Sequence, residues 1–157
     1  MRIGQGIDVH RFSTDKNRPL LLGLVHIPGF AGLAGHSDAD VATHALCDAL
    51  LGAANLGDLG RHFPDTNPEI ANIASSELLS EIVKKVRAAG FSVESADVTI
   101  IAEQPKLASF MPAMSDALTE IVGCRVSVKA TTAEGLGALG RVEGIGAMSV
   151  ALLKEES

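Results

Sequence analysis

The sequence predicts a single α/β (α+β) domain in which helices cover one face of a mixed β-sheet of about four to five strands. The chain has 157 residues, 46% of them hydrophobic, enough for one compact domain with its own core. Segments with strand-like and helix-like spacing of apolar residues alternate along it. We find no linker, internal repeat or low-complexity tract, so residues 1–157 are expected to form one unit.

The first elements are predicted to be strands. Residues 2–9 alternate between apolar positions and glycine or polar positions, which predicts a strand with one buried face. The apolar residues of that face are Ile3, Ile7 and Val9. Leu20 to Ile27, bounded by prolines, predicts a second strand, and residues 29–35 a loop.

Helices and strands then follow in turn. Residues 38–54 have apolar residues at helical spacing after an aspartate, which predicts a helix with an Asp N-cap. The later predicted elements are a helix ended by Gly90, a strand over 93–102, a helix capped by Ser109 and ended by Gly123, and strands over 125–131 and 142–153.

Charge and composition exclude several classes of function. Thirteen basic against nineteen acidic residues give a net charge of −6, and Trp and Tyr are absent, so we expect no nucleic-acid partner. No apolar stretch is long enough for a membrane helix, and the first residues do not resemble a signal peptide. Two cysteines do not form a disulfide scaffold. The expected location is the cytoplasm.

The pair Asp8 and His10 is a candidate for metal binding. Residues two apart on a strand share a face, so these side chains project together, and a carboxylate beside an imidazole suits a divalent metal. A surface Asp–His pair is the alternative. With His44, from the following helix, the pair would complete a three-ligand zinc site with an open fourth position.

Residues around His44 have further candidate roles. Asp40 and Asp48 lie one helical turn before and after it, and are predicted to orient its imidazole. Cys47 is a competing thiolate ligand, although its apolar neighbours favour a buried thiol. His36 and Ser37 precede the helix, where free N–H groups favour phosphate; an ordinary loop histidine is the alternative.

A third polar cluster, Lys129 to Glu134, runs from the end of the strand over 125–131 into a glycine-rich turn. Hydroxyls with a carboxylate suit Mg²⁺ or Mn²⁺, but a helix cap of the Thr-x-x-Glu type explains the same residues. The nearby run Gly135 to Gly140 has the spacing of a dinucleotide fingerprint. No long helix follows it, so we reject that interpretation.

Taken in order, these segments resemble the 2-C-methyl-D-erythritol 2,4-cyclodiphosphate synthase family over nearly the whole chain. The matching segments are Arg2–Gly4 through Asp8–His10, His36–Asp38 through His44–Leu46, Leu56–Gly60, Phe63–Thr66, Asp97–Ala102, Pro105–Lys106, Lys129–Thr132, Glu134, Gly140–Arg141 and Glu143–Ile145. Each segment is short; together they are highly specific.

The resemblance implies an activity and an assembly. Family members convert 4-diphosphocytidyl-2-C-methyl-D-erythritol 2-phosphate into the cyclic diphosphate and release CMP, a lyase step of non-mevalonate isoprenoid biosynthesis. They are chorismate-mutase-like homotrimers with active sites between subunits. Residues 1–157 would then be a single catalytic domain acting on a small nucleotide diphosphate.

The resemblance also implies roles for residues. Asp8, His10 and His44 match the zinc ligands, Glu134 the ligand of a second cation, Mg²⁺ or Mn²⁺, and His36 and Thr132 the positions that stabilise the transition state. Lys106 would act with them on the diphosphate. The substrate-binding positions are Asp8, His10, His36, Ser37, Asp58, Leu59, Gly60, Phe63, Pro64, Asp65, Thr66, Asn67, Ala102, Glu103, Gln104, Pro105, Lys106, Leu107, Ala108, Thr131, Thr132, Ala133, Glu134, Ala138 and Arg141.

The sequence departs from the family pattern at a few positions. Some relatives have Phe at the position of Ala138, where the ring borders a cavity on the trimer axis that isoprenoid diphosphates can occupy. Its loss weakens the expectation of such binding here. Ala133 replaces a frequent Thr, and Asn67 an Asp; neither change removes a metal ligand.

Two other functions fit the same residues less well. A zinc phosphodiesterase would hydrolyse a nucleotide diphosphate to a linear product, whereas the synthase yields CMP and a cyclic diphosphate. A trimeric ligand sensor would use the His and Asp residues only as a metal-binding surface. Turnover at catalytic protein concentration excludes the sensor.

Overall fold

The computed structural model describes residues 1–64 and 73–156. Its strands are β1 (Arg2–Arg11), β2 (Pro19–Leu22), β3 (Val25–Ala31), β4 (Phe91–Ile101), β5 (Val126–Thr131) and β6 (Gly144–Glu155). Its helices are α1 (Val41–Ala53), α2 (Leu59–His62), α3 (Ser75–Ala88), α4 (Met111–Val122) and α5 (Gly137–Gly140).

Four strands form one mixed sheet in the order β1-β6-β4-β5. β6 pairs antiparallel with β1 and β4, and β4 pairs parallel with β5. α1 packs against β1, β6 and β4, while α3 lies against α1 and α4 lies against β5. The predicted class, a mixed sheet covered by helices on one face, is confirmed. No helix within the described ranges is long and apolar enough to cross a membrane.

The prediction of one strand over Leu20 to Ile27 is wrong. This segment forms the hairpin of β2 and β3, which turns at Gly23 and Leu24, both with positive φ. The buried carboxylate of Asp40 accepts hydrogen bonds from both turn N–H groups, at 2.8 and 2.7 Å. A contact from a residue 16 positions away along the chain therefore stabilises the turn.

The predicted buried face of β1 is also wrong. Ile3 and Val9 are 73% and 57% exposed, whereas Gly4 and Gly6 are buried. A Cβ atom on Gly6 would lie 1.9 Å from the carbonyl oxygen of Ala45. The glycines face α1 because they allow its backbone to approach β1 closely, which leaves the apolar residues on the open face of the sheet.

The helix ends agree with the sequence in part. An aspartate caps α1 as predicted, but the helix begins after Asp40 and not at residue 38; the Asp40 side chain accepts from the N–H of Thr43. Gly123 ends α4 in the left-handed conformation. Ser109 does not cap α4: the N-cap position is Phe110, without a side-chain bond.

Candidate metal centre

Asp8, His10 and His44 come together between β1 and α1. Asp8 and His10 lie on the same side of β1 as Gly4 and Gly6, which is the side that packs closely against α1. His44 lies in the first turn of α1. The Asp8 Oδ2 atom is 3.1 Å from His44 Nδ1 and 3.3 Å from His10 Nε2. The three side chains can hold one metal ion.

The triad fits zinc. Ligand atoms about 2.0 Å from a tetrahedral ion are about 3.3 Å from one another, close to the two separations observed here. His10 Nδ1 lies 2.6 Å from the carbonyl oxygen of Ala34, so it donates its proton there, and Nε2, which faces Asp8, is the atom that would bind the ion. This donor set suits an ion with three protein ligands and an open position.

The triad is electrostatically coupled. Burial raises the pKa of the Asp8 carboxyl, but hydrogen bonds from His10 and His44 and their charges outweigh it, leaving that pKa well below its usual range. The hydrogen bond to Asp8 raises the pKa of His10, against the opposing effect of burial. Asp8 is therefore ionised near neutral pH, the form that binds a cation.

The predicted roles of Asp40 and Asp48 toward His44 are wrong. Asp40 caps α1 and holds the β2–β3 turn. The Asp48 carboxylate accepts from the N–H of Leu59 at 2.7 Å and so fixes the start of α2 beside α1. Both residues lie one helical turn from His44, but their carboxylates accept hydrogen bonds from backbone N–H groups and do not orient its imidazole.

The partners of the His44 Nε2 atom come from outside α1. Ser75 Oγ lies 3.0 Å away and Ser37 Oγ 3.3 Å away. The Asp38 carboxylate accepts from the Ser75 N–H at 2.8 Å and also from the Ser75 hydroxyl. Sequence reasoning missed Ser75 because it is 31 residues from His44, and no local pattern indicates the contact.

Cys47 is fully buried, and burial raises the pKa of its thiol well above the usual range. It is absent from the candidate metal group of the described residues. The favoured interpretation, a small buried thiol, is thus confirmed.

The loop before α1 lies against the triad. His36 is exposed, and Ser37 is half-buried. The Ser37 carbonyl accepts a hydrogen bond from the Arg18 guanidinium, a residue that sequence analysis did not single out. A Cβ atom on Gly35 would lie 3.1 Å from the His10 ring, so the backbone of this loop packs closely on a candidate ligand.

A second polar cluster forms where β5 ends. Thr132 Oγ1 donates to Glu134 Oε1 at 2.7 Å, and the Gly135 N–H donates to Glu103 Oε1 at 3.1 Å. Glu134 has a positive φ of 52°, so the chain reverses sharply here. Thr131, the residue that would cap a helix in the Thr-x-x-Glu pattern, is the last residue of β5, and α5 begins only at Gly137 after Leu136, so the helix-cap alternative is not supported.

The segment from Ala102 to Ala108 runs beside this cluster. Ala102, Pro105 and Leu107 are buried, whereas Gln104, Lys106 and Ala108 are exposed. The side chain of Lys106 is therefore accessible to an anionic ligand. Glu103 of the same segment accepts from the Gly135 N–H and so joins the segment to the cluster.

Only some of the remaining predicted substrate-binding residues belong to the described part of the chain. Asp58 caps α2 by accepting from the Arg61 N–H at 2.9 Å, and α2 itself is held by Asp48. Phe63 is half-buried and Pro64 exposed. Asp65, Thr66 and Asn67, with the rest of residues 65–72, lie outside the described residues.

Ala138 lines a cavity that also reaches the candidate ligand His10, and Arg141 pairs with one of its lining residues, Glu143. The cavity has a volume of about 400 Å³. Its lining residues are Val9, His10, Arg11, Phe12, Thr14, Ala138, Leu139, Glu143 and Gly144. Arg141 Nε donates to Glu143 Oε1 at 2.6 Å, which pairs the charges at its border.

The two polar clusters lie at the same end of the sheet but at opposite edges. Asp8 pairs with Ala147, Ala147 with Ile100, and Ile100 with Ala130, so one row crosses all four strands. Three strand spacings amount to about 14 Å. Within one chain, two strands therefore separate the metal triad from the cluster of Thr132 and Glu134.

Known proteins match nearly the whole length of this chain. The model of the YgbB family matches residues 1–154. The 2-C-methyl-D-erythritol 2,4-cyclodiphosphate synthase of Nitrosococcus oceani is 53% identical, with 99% of both chains covered. The protein of that name from Laribacter hongkongensis is 54% identical over 98% of this chain and 96% of its own.

Solved structures agree. The bifunctional IspDF of Campylobacter jejuni superposes with a TM-score of 0.92 at 44% identity; the match covers 98% of this chain and 42% of that one. A 2C-methyl-D-erythritol-2,4-cyclodiphosphate synthase with CDP bound gives a TM-score of 0.88 at 38% identity, over 98% of this chain and 100% of that one.

Fold and site together define a single-domain α/β protein of enzyme type, with a candidate three-ligand metal centre between its first strand and first long helix. The chain belongs to the YgbB family, and the curated relatives that it matches are named 2-C-methyl-D-erythritol 2,4-cyclodiphosphate synthases. The resemblance drawn from the sequence is confirmed.

Proposed function

We propose that this chain is a lyase that cyclises 4-diphosphocytidyl-2-C-methyl-D-erythritol 2-phosphate and releases CMP, with residues 1–157 as one catalytic domain. The convergence of Asp8, His10 and His44 on one ion-sized space carries the proposal. The family membership and the CDP bound to a similar structure support the substrate class.

The reaction needs two anionic groups of one substrate to meet. The 2-phosphate attacks the β-phosphorus, a new P–O bond forms, and the bond to the CMP oxygen breaks. Zinc held by Asp8, His10 and His44 would supply Lewis-acid charge neutralisation where the phosphates meet. No protein base is needed, because the attacking phosphate is already ionised at neutral pH. Holding both ends of the substrate in line contributes about 7–11 kcal/mol to such intramolecular reactions.

Other residues would bind the substrate and stabilise the transition state. His36 and Thr132 would donate hydrogen bonds to phosphoryl oxygens as their charge grows, and Lys106 would hold the cytidine diphosphate end. The exposed position of Lys106 supports its role. The Thr132 hydroxyl donates to Glu134 in the structure, and would turn its proton to the phosphoryl oxygen once the second cation occupies the carboxylate. The turn from Asp58 to Gly60, fixed to α1 by Asp48, together with residues 63–67 would contact the methylerythritol part.

A second cation, Mg²⁺ or Mn²⁺, would bind at Glu134. The cluster offers the exposed carboxylate of Glu134 and the Thr132 hydroxyl. Such an ion takes its remaining ligands from phosphate and water, so few protein ligands suffice. This local positive charge would allow a protein of net charge −6 to bind an anionic substrate.

We propose further that the active enzyme is a homotrimer. The open face of the sheet carries a contiguous apolar surface made of Ile3, Ile7, Val9, Met148 and Val150, all exposed in the single chain. Copies of the chain packed on this surface would bury it, and would place the metal triad of one subunit near the Glu134 cluster of another. Val9→Asp should convert the trimer to monomers in sedimentation velocity; an unchanged trimer would exclude this surface as the interface.

The deciding experiment is incubation of zinc-loaded protein with the substrate, followed by ³¹P NMR. CMP and a cyclic diphosphate in equal amounts are expected at catalytic protein concentration. A linear methylerythritol phosphate in place of the cyclic product would indicate hydrolysis, and no turnover would exclude the enzyme. Location in the cytoplasm stays a prediction.

Thr132→Ala is expected to lower kcat by about 10²-fold or more while CMP binding weakens only slightly, since its hydrogen bond would act mainly on charge that develops in the transition state. Steady-state kinetics measures kcat, and calorimetric titration measures the affinity for CMP. Ser127→Ala, an exposed position of the same strand β5, is the control. Equal losses in kcat and CMP affinity would reduce Thr132 to a binding residue.

Glu134→Gln is expected to raise the Mg²⁺ or Mn²⁺ concentration needed for half-maximal activity by about tenfold or more, because a neutral amide replaces the anionic ligand. The titration is run with zinc held constant. The exposed residue Glu156 offers a matched control, Glu156→Gln. An identical titration curve for both variants would reject the assignment.

A further inference from the structure

The outer nitrogen of His44 is held by a chain of hydrogen bonds that ends in a carboxylate. His44 Nδ1 faces Asp8, and Nε2 faces Ser75 Oγ at 3.0 Å. Ser75 is fully buried at the first position of α3, and its hydroxyl and N–H both donate to Asp38. Asp38, on the loop before α1, thus joins the starts of two helices.

The direction of these bonds is fixed by their donors and acceptors. An ionised carboxylate only accepts, so the single hydroxyl proton of Ser75 points to Asp38. The lone pair of Ser75 Oγ is then left to accept a proton from His44 Nε2. Ser37 Oγ is farther from His44 Nε2, at 3.3 Å against 3.0 Å, so it is the weaker partner.

We propose that Asp38 and Ser75 are positioning residues that hold His44 as the Nε2–H tautomer when the ion is bound, so that the ion takes the place of the proton that Nδ1 shares with Asp8 in the metal-free triad. The inference rests on the proposed zinc role of the triad. A ligating imidazole needs one nitrogen unprotonated, and an acceptor at the other nitrogen selects the tautomer and raises ligand basicity. Ala34 has the same role toward His10, through its carbonyl at 2.6 Å from Nδ1.

The two imidazoles are thereby oriented in different ways. His10 donates to a backbone carbonyl, which mutation of a side chain cannot remove. The acceptor of His44 is a side chain backed by a negative charge, so its contribution can be tested by substitution. Ser75 comes from α3 and His44 from α1, so the chain also couples the packing of these helices to the metal centre.

The test is the zinc dissociation constant of Ser75→Ala, measured by competition with a chromophoric chelator. A rise of about 10- to 100-fold is expected, the usual effect of losing such an outer partner. Ser76→Ala is the matched control: Ser76 follows Ser75 in α3 and makes no hydrogen bond to His44 in the described ranges. The melting temperature of the metal-free proteins should be similar in both variants, since a purely structural role would move it without moving zinc affinity.

Two further measurements distinguish a failure of this inference from a failure of the proposed function. Asp38→Asn should also weaken zinc binding, and in the zinc-loaded wild type ¹⁵N NMR should show a protonated Nε2 on His44 that exchanges faster with solvent in Ser75→Ala. Zinc affinity in Ser75→Ala equal to that of Ser76→Ala would overturn the inference while leaving the metal site intact. A wild-type protein that binds no zinc would overturn both.

Discussion

His44→Ala is expected to abolish zinc binding and to lower activity by at least about a thousandfold, while the chain stays folded. The variant removes one of three ligand atoms, and Lewis-acid stabilisation worth several kcal/mol is lost with the ion. The ring of His44 contacts residues of the site itself, namely Asp8, Ser75, Ser37 and, edge to face, His10, so its loss should act mainly on the site. Atomic absorption measures the zinc content per chain, circular dichroism measures folding, and the cyclisation assay measures activity.

The matched control is His26→Ala. His26 lies exposed on β3, outside the metal group of the described residues. It should retain full zinc content and activity, which excludes a general effect of removing an imidazole. Undiminished zinc in His44→Ala would mean that the ion binds elsewhere, and the assignment of the triad would be wrong.

Gly6→Ala is expected to destabilise the protein by about 3 kcal/mol, a large effect for one added methyl group. The new Cβ atom would lie 1.9 Å from Ala45 O and 2.7 Å from Ala49 N, both backbone atoms of α1, which no side-chain rotation can move aside. β1 and α1 must therefore separate. Urea unfolding of the metal-free protein at fixed chain concentration measures the loss.

Gly52→Ala is the control for Gly6→Ala. Gly52 is an exposed residue of α1, and the nearest atom to an added Cβ is Gln5 O at 3.9 Å. Here the methyl group should stabilise the helix by up to about 1 kcal/mol, because alanine loses less backbone entropy. Equal stability of Gly6→Ala and the wild type would show that the glycine face of β1 does not determine the strand–helix distance.

Local patterns predicted the order of elements well. The stripe of α3, the left-handed glycine that ends α4 and the β-branched run of β4 are properties of neighbouring residues, and the structure has each of them. Division of Leu20–Ile27 into two strands was not predictable in the same way. Its turn depends on the carboxylate of Asp40, which binds the turn only after α1 has packed beside it.

In the metal site, too, local sequence patterns predicted some features, whereas others depend on tertiary contacts. The period of two in β1 indicated that Asp8 and His10 project together, and the structure brings both to His44. The helical spacing of Asp40 and Asp48 suggested partners for His44, yet their carboxylates bind the backbone of Gly23 and Leu59. Ser75 was not found, because no residue near it in sequence marks it as a neighbour of the metal centre.

The sequence by itself determined the fold class, the family and the residue types of the metal triad, since these depend on periodicity and on short motifs within single elements. Only the tertiary structure decided which side of β1 faces α1 and which groups hold the imidazoles. Apolar character predicts burial without saying against what. Close approach of two backbones requires glycine, so Gly4 and Gly6 lie against α1, and Ile3, Ile7 and Val9 are left on the open face of the sheet.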